Sequence, residues 1–171
     1  MKKKKNMNQI IFLNKKNLLS KLEIKKIEKI KFKYKDNHAI SIESLKVVQR
    51  YRHWISDISL KAISKYLNIE LNYLEEISTF YSQIFRKPVG RHVISYCDSF
   101  VCYVKNYKRI KNVLEKTLKI KTGQTTKNKR FTLLQTCCLG NCDKGPILMI
   151  NRDTYTNVIP KYVNNILNRY R

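Results

Sequence analysis

A chain of 171 residues with 43% hydrophobic and 11% aromatic content can bury one core or two small ones, and is too apolar for wholesale disorder. The formal net charge of +24 invites an anionic partner. Yet 27 of the 36 basic residues are Lys, Ile and Asn are also plentiful, and beyond residues 2–5 the lysines are spread along the chain, which favours compositional bias over a charge-driven binding role. No apolar run approaches the roughly 18 residues that span a bilayer, the apolar stretch after the basic start is too short for a secretory signal, and that start lacks the Arg of a mitochondrial presequence. These features describe a soluble chain in a reducing cytosol.

Residues 1–17 read as a basic tail, and residues 18–90 as a small helical bundle. Ser20 and Glu23 form an S-x-x-E capping box, with Leu19 placed to staple onto Ile24. Ile24, Ile27, Ile30 and Tyr34 continue one apolar face, and the run KDNHA breaks it. A second helix follows Ser41, with Leu45, Val48, Tyr51 or Arg52, and Ile55 on one side. Ser56 opens a third, carrying Leu60, Ile63 and Leu67. The spacing of Leu71, Leu74, Ile77 and Tyr81 predicts a fourth over residues 70–85, ended by Pro88 and Gly90.

From residue 91 to 171 the period changes. HVISYC (92–97) is strand-like and residues 106–120 are helical through Ile110, Val113, Leu114 and Leu118. KTGQTTKNK is a polar turn, and RFTLLQTC (130–137) is a second strand. PILMIN and TYTNVI read as a hairpin across Arg152 and Asp153, and a last helix begins at Pro160. The order β-α-β-β-β-α has the proportions of a thioredoxin-like α/β domain, so the whole chain reads as α+β: a helical bundle followed by that domain.

All five cysteines lie in the second half. Disulfides need an oxidising compartment. The C-x4-C spacing of Cys97 and Cys102 is wrong for a C-x-x-C redox pair, and inert burial hardly explains five cysteines at two loop positions. Metal or cluster ligation remains. Cys138 and Cys142 are spaced C-x3-C, or C-x4-C if Cys137 takes the place of Cys138. Zinc fits with both loops near its wide end and no His close by. A 2Fe–2S cluster also takes four thiolates and tolerates wide loops; spacing favours it only modestly. Adjacent parallel strands would bring both pairs to one sheet edge. Consecutive strand residues point to opposite faces, and Gly140 sits symmetrically between Cys138 and Cys142. Cys138 is therefore taken as the ligand and Cys137 as a buried structural thiol.

The run CLGNCDKGP (138–146), with Cys97 and Cys102, resembles the family of the E subunit of bacterial NADH-quinone oxidoreductase, the thioredoxin-like 2Fe–2S component of respiratory complex I. STFYSQIFRKPVGRHVISYC (78–97), LKIKTGQTT (118–126), FTLLQ (131–135) and MINRDTY (149–155) are similar too, and the likeness spans residues 18–171. It implies that Cys97, Cys102, Cys138 and Cys142 hold one 2Fe–2S cluster per chain. That cluster would exchange single electrons with the FMN of an NADH-binding flavoprotein subunit. NADH and FMN would sit on the partner, in keeping with the lack of a G-x-G-x-x-G after any strand. The resemblance also implies other peripheral-arm partners, a cytoplasmic place peripheral to the inner membrane without insertion, and no general acid, base or nucleophile. Related subunits serve NAD-linked hydrogenases and formate dehydrogenases. The chain departs from the family pattern at Asn106, where Gly is expected, at Gly145, where many relatives have Ala, and in the basic segment after GQTT.

Simpler readings stand beside these. His38, His53 and His92 read as surface or core residues rather than ligands, and Trp54 as a bundle anchor. Pro146, between turn and strand, is a candidate cis proline. Residues 59–81 have the shape of a helix-turn-helix, which makes a cysteine-metal DNA-binding regulator the rival from another class. Its second helix carries Glu70, Glu75 and Glu76 where base contacts want Arg, Lys or Asn, so no nucleic-acid partner is expected.

Overall fold

Helical and strand periods alternate along the chain with clear punctuation, and the computed structural model, which describes residues 19–34 and 36–170, turns that punctuation into two compact units dividing between Pro88 and Val89. The basic tail lies outside the described residues.

The first unit holds α1 (Lys21–Lys31), α2 (Ser41–Arg52), α3 (Asp57–Leu67) and α4 (Leu71–Phe80). The capping box forms as expected: Ser20 Oγ accepts from the Glu23 N–H at 3.2 Å, and the Ser20 N–H donates to Glu23 Oε2 at 2.6 Å. Leu19, Ile27, Leu45, Val48, Ile55, Leu60, Ile63, Leu67 and Leu74 are buried in one cluster, with Ile24 and Ile30 packed against it. α1 stops at Lys31, so Tyr34 falls beyond the helix and is partly exposed. Tyr51 faces water, while Arg52 turns inward. Trp54 is only partly buried. Asn68 at φ 53° closes α3 in the left-handed region that Asn tolerates, and α4 begins three residues later.

Arg52 meets the capping carboxylate. Its Nε donates to Glu23 Oε1 at 2.6 Å, its Nη2 to Oε2 at 2.7 Å, and its Nη1 to Ser59 Oγ at 3.2 Å. Glu23 is 1% exposed. Burial alone would raise its carboxyl pKa. The hydrogen bonds from Arg52 and the Ser20 N–H, with the guanidinium charge, outweigh that and hold it below the ordinary carboxylate value.

α4 is shorter than its apolar spacing predicts, ending at Phe80 rather than near residue 85, and Tyr81 is exposed instead of inward. Near its end the Ser78 and Thr79 hydroxyls donate to the Glu75 carbonyl, and the Thr79 hydroxyl also to that of Glu76. The chain beyond is held without helix. Gln49 donates to the Gln83 carbonyl and accepts from the Phe85 N–H, and the Ile55 N–H donates to the Phe85 carbonyl at 2.7 Å.

The second unit holds β1 (His92–Cys97), α5 (Phe100–Val104), α6 (Tyr107–Leu118), β2 (Phe131–Thr136), β3 (Leu148–Ile150), β4 (Asp153–Tyr155) and α7 (Val163–Leu167). The sheet order is β2-β1-β3-β4. β1 and β2 run parallel, from His92 opposite Phe131 to Cys97 opposite Thr136, and β3 and β4 add antiparallel. A parallel pair needs a crossover, here α5 and α6. Ile94, Tyr96, Leu133, Leu148 and Ile150 form one core with Ile110 and Leu114 of α6 and with Val163, Ile166 and Leu167 of α7. This is the α+β arrangement expected. The hairpin turns one residue earlier than read, at Asn151 (φ 56°) and Arg152.

One correction and one explanation bear on the cysteines. Cys102, the second member of the first pair, lies inside a short helix, α5, rather than in a loop. The signal was Ser99 ahead of an apolar run, an N-cap pattern. Asn106 stands at φ 62° between α5 and α6, a left-handed position that explains both the expectation of Gly there and why Asn serves.

Candidate metal centre

Parallel pairing of β1 and β2 sends both chain segments off the same end of the sheet. Cys97 is the last residue of β1, opposite Thr136, the last of β2, and the Asp98 N–H donates to the Thr136 carbonyl at 3.2 Å. Cys102 is the third residue of α5, and residues 137–145 form the second cysteine loop. Its 3₁₀ turn (Cys142–Lys144) ends on a Gly145–Pro146 peptide that is cis. The Cys97 N–H donates to the Ile147 carbonyl, which anchors the exit of this loop beside the first pair.

The thiols stand as two pairs of different exposure. Cys97 and Cys102 are buried with Ile147, and Tyr107 and Leu139 pack against them. Cys138 is exposed, Cys142 is partly buried, and their sulfurs lie 3.1 Å apart. The Gly140 N–H donates to Cys138 Sγ at 3.4 Å, and Gly140 makes the turn at φ 82°. All five cysteines are free thiols. Among the described residues no group of three or more His, Cys, Asp and Glu side chains closes on a single metal ion.

Cys137 corrects the expectation of a buried structural thiol: it is exposed. β2 ends at Thr136, so Cys137 belongs to the turn and the inside–outside alternation of the strand no longer governs it.

Electrostatics couples the pairs. Burial pushes the Cys102 thiol up to about 11, and its hydrogen bond with Cys97 adds to this; the Ile147 N–H works the other way. The hydrogen bond with Cys142, then the Gly140 N–H, lower Cys138, while that same bond raises Cys142. Cys142 also lies within Coulombic reach of Cys97. A soft cation binding such a set would displace the thiol protons into solvent and take the thiolates as ligands.

A model of the thioredoxin-like [2Fe-2S] ferredoxin family matches residues 27–171. The E subunit of NADH-quinone oxidoreductase from Buchnera aphidicola subsp. Acyrthosiphon pisum is 55% identical over 153 residues, 90% of this chain and 94% of that one. Its namesake from Escherichia coli K12 is 52% identical over 90% of this chain and 92% of its own. The chain belongs to the thioredoxin-like [2Fe–2S] ferredoxins that serve as the E subunit of NADH-quinone oxidoreductase.

The same fold occurs in an NAD⁺-reducing [NiFe]-hydrogenase, with a TM-score of 0.62 at 21% identity over 74% of this chain; the match spans 22% of the hydrogenase chain. A ferredoxin of this family is an electron-transfer component of an oxidoreductase complex. Its cofactor is a [2Fe–2S] cluster, while NADH and flavin belong to other subunits. The donor set here suits that group: four thiols in two pairs on the segments that leave one end of the sheet, the first pair buried in an apolar collar. Among the described residues no helix is long and apolar enough to cross a membrane.

Sequence reasoning had no access to the collar of Ile147, Leu139 and Tyr107, nor to Lys105, whose ammonium donates to the Asp143 carbonyl at 2.6 Å. Only the fold brings these residues to the cysteines. Gly140 was legible. Its positive φ costs an Ala about 1–2 kcal/mol, so in this ferredoxin Gly140→Ala is expected to fold and to lose iron to a chelator roughly tenfold faster. Wild-type retention, followed by visible absorbance, would show the turn to be indifferent.

Proposed function

We propose that Cys97, Cys102, Cys138 and Cys142 ligate one [2Fe–2S] cluster, and that the chain is the one-electron carrier beside the flavin of an NADH-binding partner subunit in an NADH:quinone oxidoreductase. The observation that supports this is the parallel pairing of β1 and β2, which sends the segments bearing the two thiol pairs off the same end of the sheet, with Cys138 and Cys142 already 3.1 Å apart. Two thiol pairs supply the two thiolates that each iron of such a cluster takes; a four-thiolate zinc site is paired too, and it is the match to the [2Fe–2S] family that favours the cluster over zinc.

The cluster, when bound, takes up and gives back electrons singly, which a hydride donor cannot do. This chain's residues supply the rest. Cys97 and Cys102 hold their sulfurs out of water against Ile147, with Leu139 and Tyr107 packed beside them. The Gly140 and Ile147 N–H groups bond sulfurs and stabilise their negative charge. The helical unit is proposed to dock on the partner, and the assembly to lie peripheral to the cytoplasmic membrane. The relatives above favour a quinone-linked parent complex; the fold shared with the hydrogenase makes an NAD-linked hydrogenase the second reading, which the flavoprotein that co-purifies decides.

The test is iron, zinc and sulfide content of anaerobically purified protein, with EPR after dithionite reduction. About two irons and two sulfides per chain, with a reduced S = 1/2 signal, are expected. One zinc without sulfide, in cells competent for cluster assembly, would overturn the reading.

A further inference from the structure

We infer that Lys105 is a positioning residue for the cluster, tying the second cysteine loop to the helix that carries Cys102 and fixing a positive charge at the rim of the site. This rests on the four-thiolate reading above.

Lys105 closes α5, with its N–H donating to the Val101 carbonyl at 2.9 Å. Asn106, the next residue, turns the chain at once into α6. The Lys105 backbone is therefore held between two helices, and its side chain has a defined start. The ammonium donates to the Asp143 carbonyl at 2.6 Å, in the turn that begins at Cys142. The stem runs beside the buried Gly145. A Cβ built there would stand 3.3 Å from Lys105 Cδ and 3.3 Å from Cys102 Sγ, so the missing methyl leaves the stem its path past the sulfur. One side chain thus spans from the element of the first thiol pair to the loop of the second.

Two consequences follow from the chemistry. A tether between the elements that carry the two thiol pairs opposes their separation, which cluster loss requires. A cation near the sulfurs favours the reduced cluster, whose charge is one unit more negative, over the oxidised one. Asp98 and Asp143 are the acidic side chains of these two segments and Lys144 the other basic one, so the local charges are balanced and Lys105 is the cation with a fixed address. Lys105 is exposed, so the electrostatic effect is moderate and salt-sensitive.

The experiment uses the full chain, loaded and anaerobic, with Lys105→Met, Lys105→Gln and Lys105→Arg compared by EPR-monitored redox titration and by iron loss to a chelator. Lys105→Met is expected to make reduction three- to tenfold less favourable, the upper end being about 59 mV for one electron, and to lose iron several-fold faster. Lys105→Gln, which keeps a donor and loses the charge, should lower the potential as Met does. Lys105→Arg should restore it, and raised salt should bring the wild type toward the Met variant. Met and Gln variants at the wild-type potential would overturn the inference whatever their iron retention, as would an Arg variant that shifts as far as Met. A wild type that holds no iron and sulfide is a different failure, that of the ligand assignment, and is read before any variant is compared.

Discussion

Cys138→Ser is expected to abolish the cluster, whereas Cys137→Ser is expected to leave iron, sulfide and the reduced EPR signal at wild-type levels. The two residues are neighbours in sequence and both exposed; what separates them is contact. Cys138 Sγ lies 3.1 Å from Cys142 Sγ and accepts from the Gly140 N–H, so it is already placed as half of a pair. Cys137 sits in the turn just beyond β2. On the proposed ligand set, removing one of four thiolates would leave an iron without its ligand, and a serine hydroxyl keeps its proton where a thiol gives it up. The expected effect is near-complete loss of iron and sulfide per chain, read by metal analysis on anaerobic protein with an unchanged far-UV CD spectrum. A Cys137→Ser variant that loses the cluster while Cys138→Ser keeps it would reverse the assignment.

Glu23→Ala is expected to destabilise the helical unit by about 3 kcal/mol, because removing one member of a buried, bidentate pair leaves the other charge uncompensated, and the capping box is lost as well. For a unit of this size that is a fall on the order of 15 °C in midpoint. Trp54, the only tryptophan, lies in this unit and reports on it alone. The effect has a pH signature. The Glu23 carboxyl is held below its ordinary value in the folded chain, so its stabilisation is complete above the unfolded value of about 4.3 and is lost as pH falls through the folded one. Denaturation of wild type and variant should differ most near neutrality and converge in acid. A gap that stays constant from pH 7 to pH 3 would mean that packing, not the ion pair, carries the stability of this site.

Much of the fold was legible because its signals are local. The Ser20–Glu23 box starts α1 and Ser56 caps α3 where their side chains predict. β1 ends at Cys97 as read, and the parallel β1–β2 pair follows from a helix standing between two apolar strands. The misreadings also have local causes. Apolar spacing carried α4 five residues too far, because periodicity does not register hydroxyls that compete for the last carbonyls. α5 is invisible to periodicity because five residues are too few to show a period.

The sequence by itself determined the residue types and spacings of two thiol pairs, the strand–helix–strand order that brings their segments to one sheet edge, and the family likeness that names the cofactor. These are properties of short windows, in which each residue's pattern with its near neighbours is already the physics. Tertiary structure alone decided the rest: that Cys137 faces water, that Cys138 meets Cys142, that Arg52 reaches Glu23 across 29 positions, and that Lys105 reaches Asp143 across 38. Contacts at such separation depend on where whole elements pack, and packing is set by the summed burial of many side chains rather than by the pair that ends up touching.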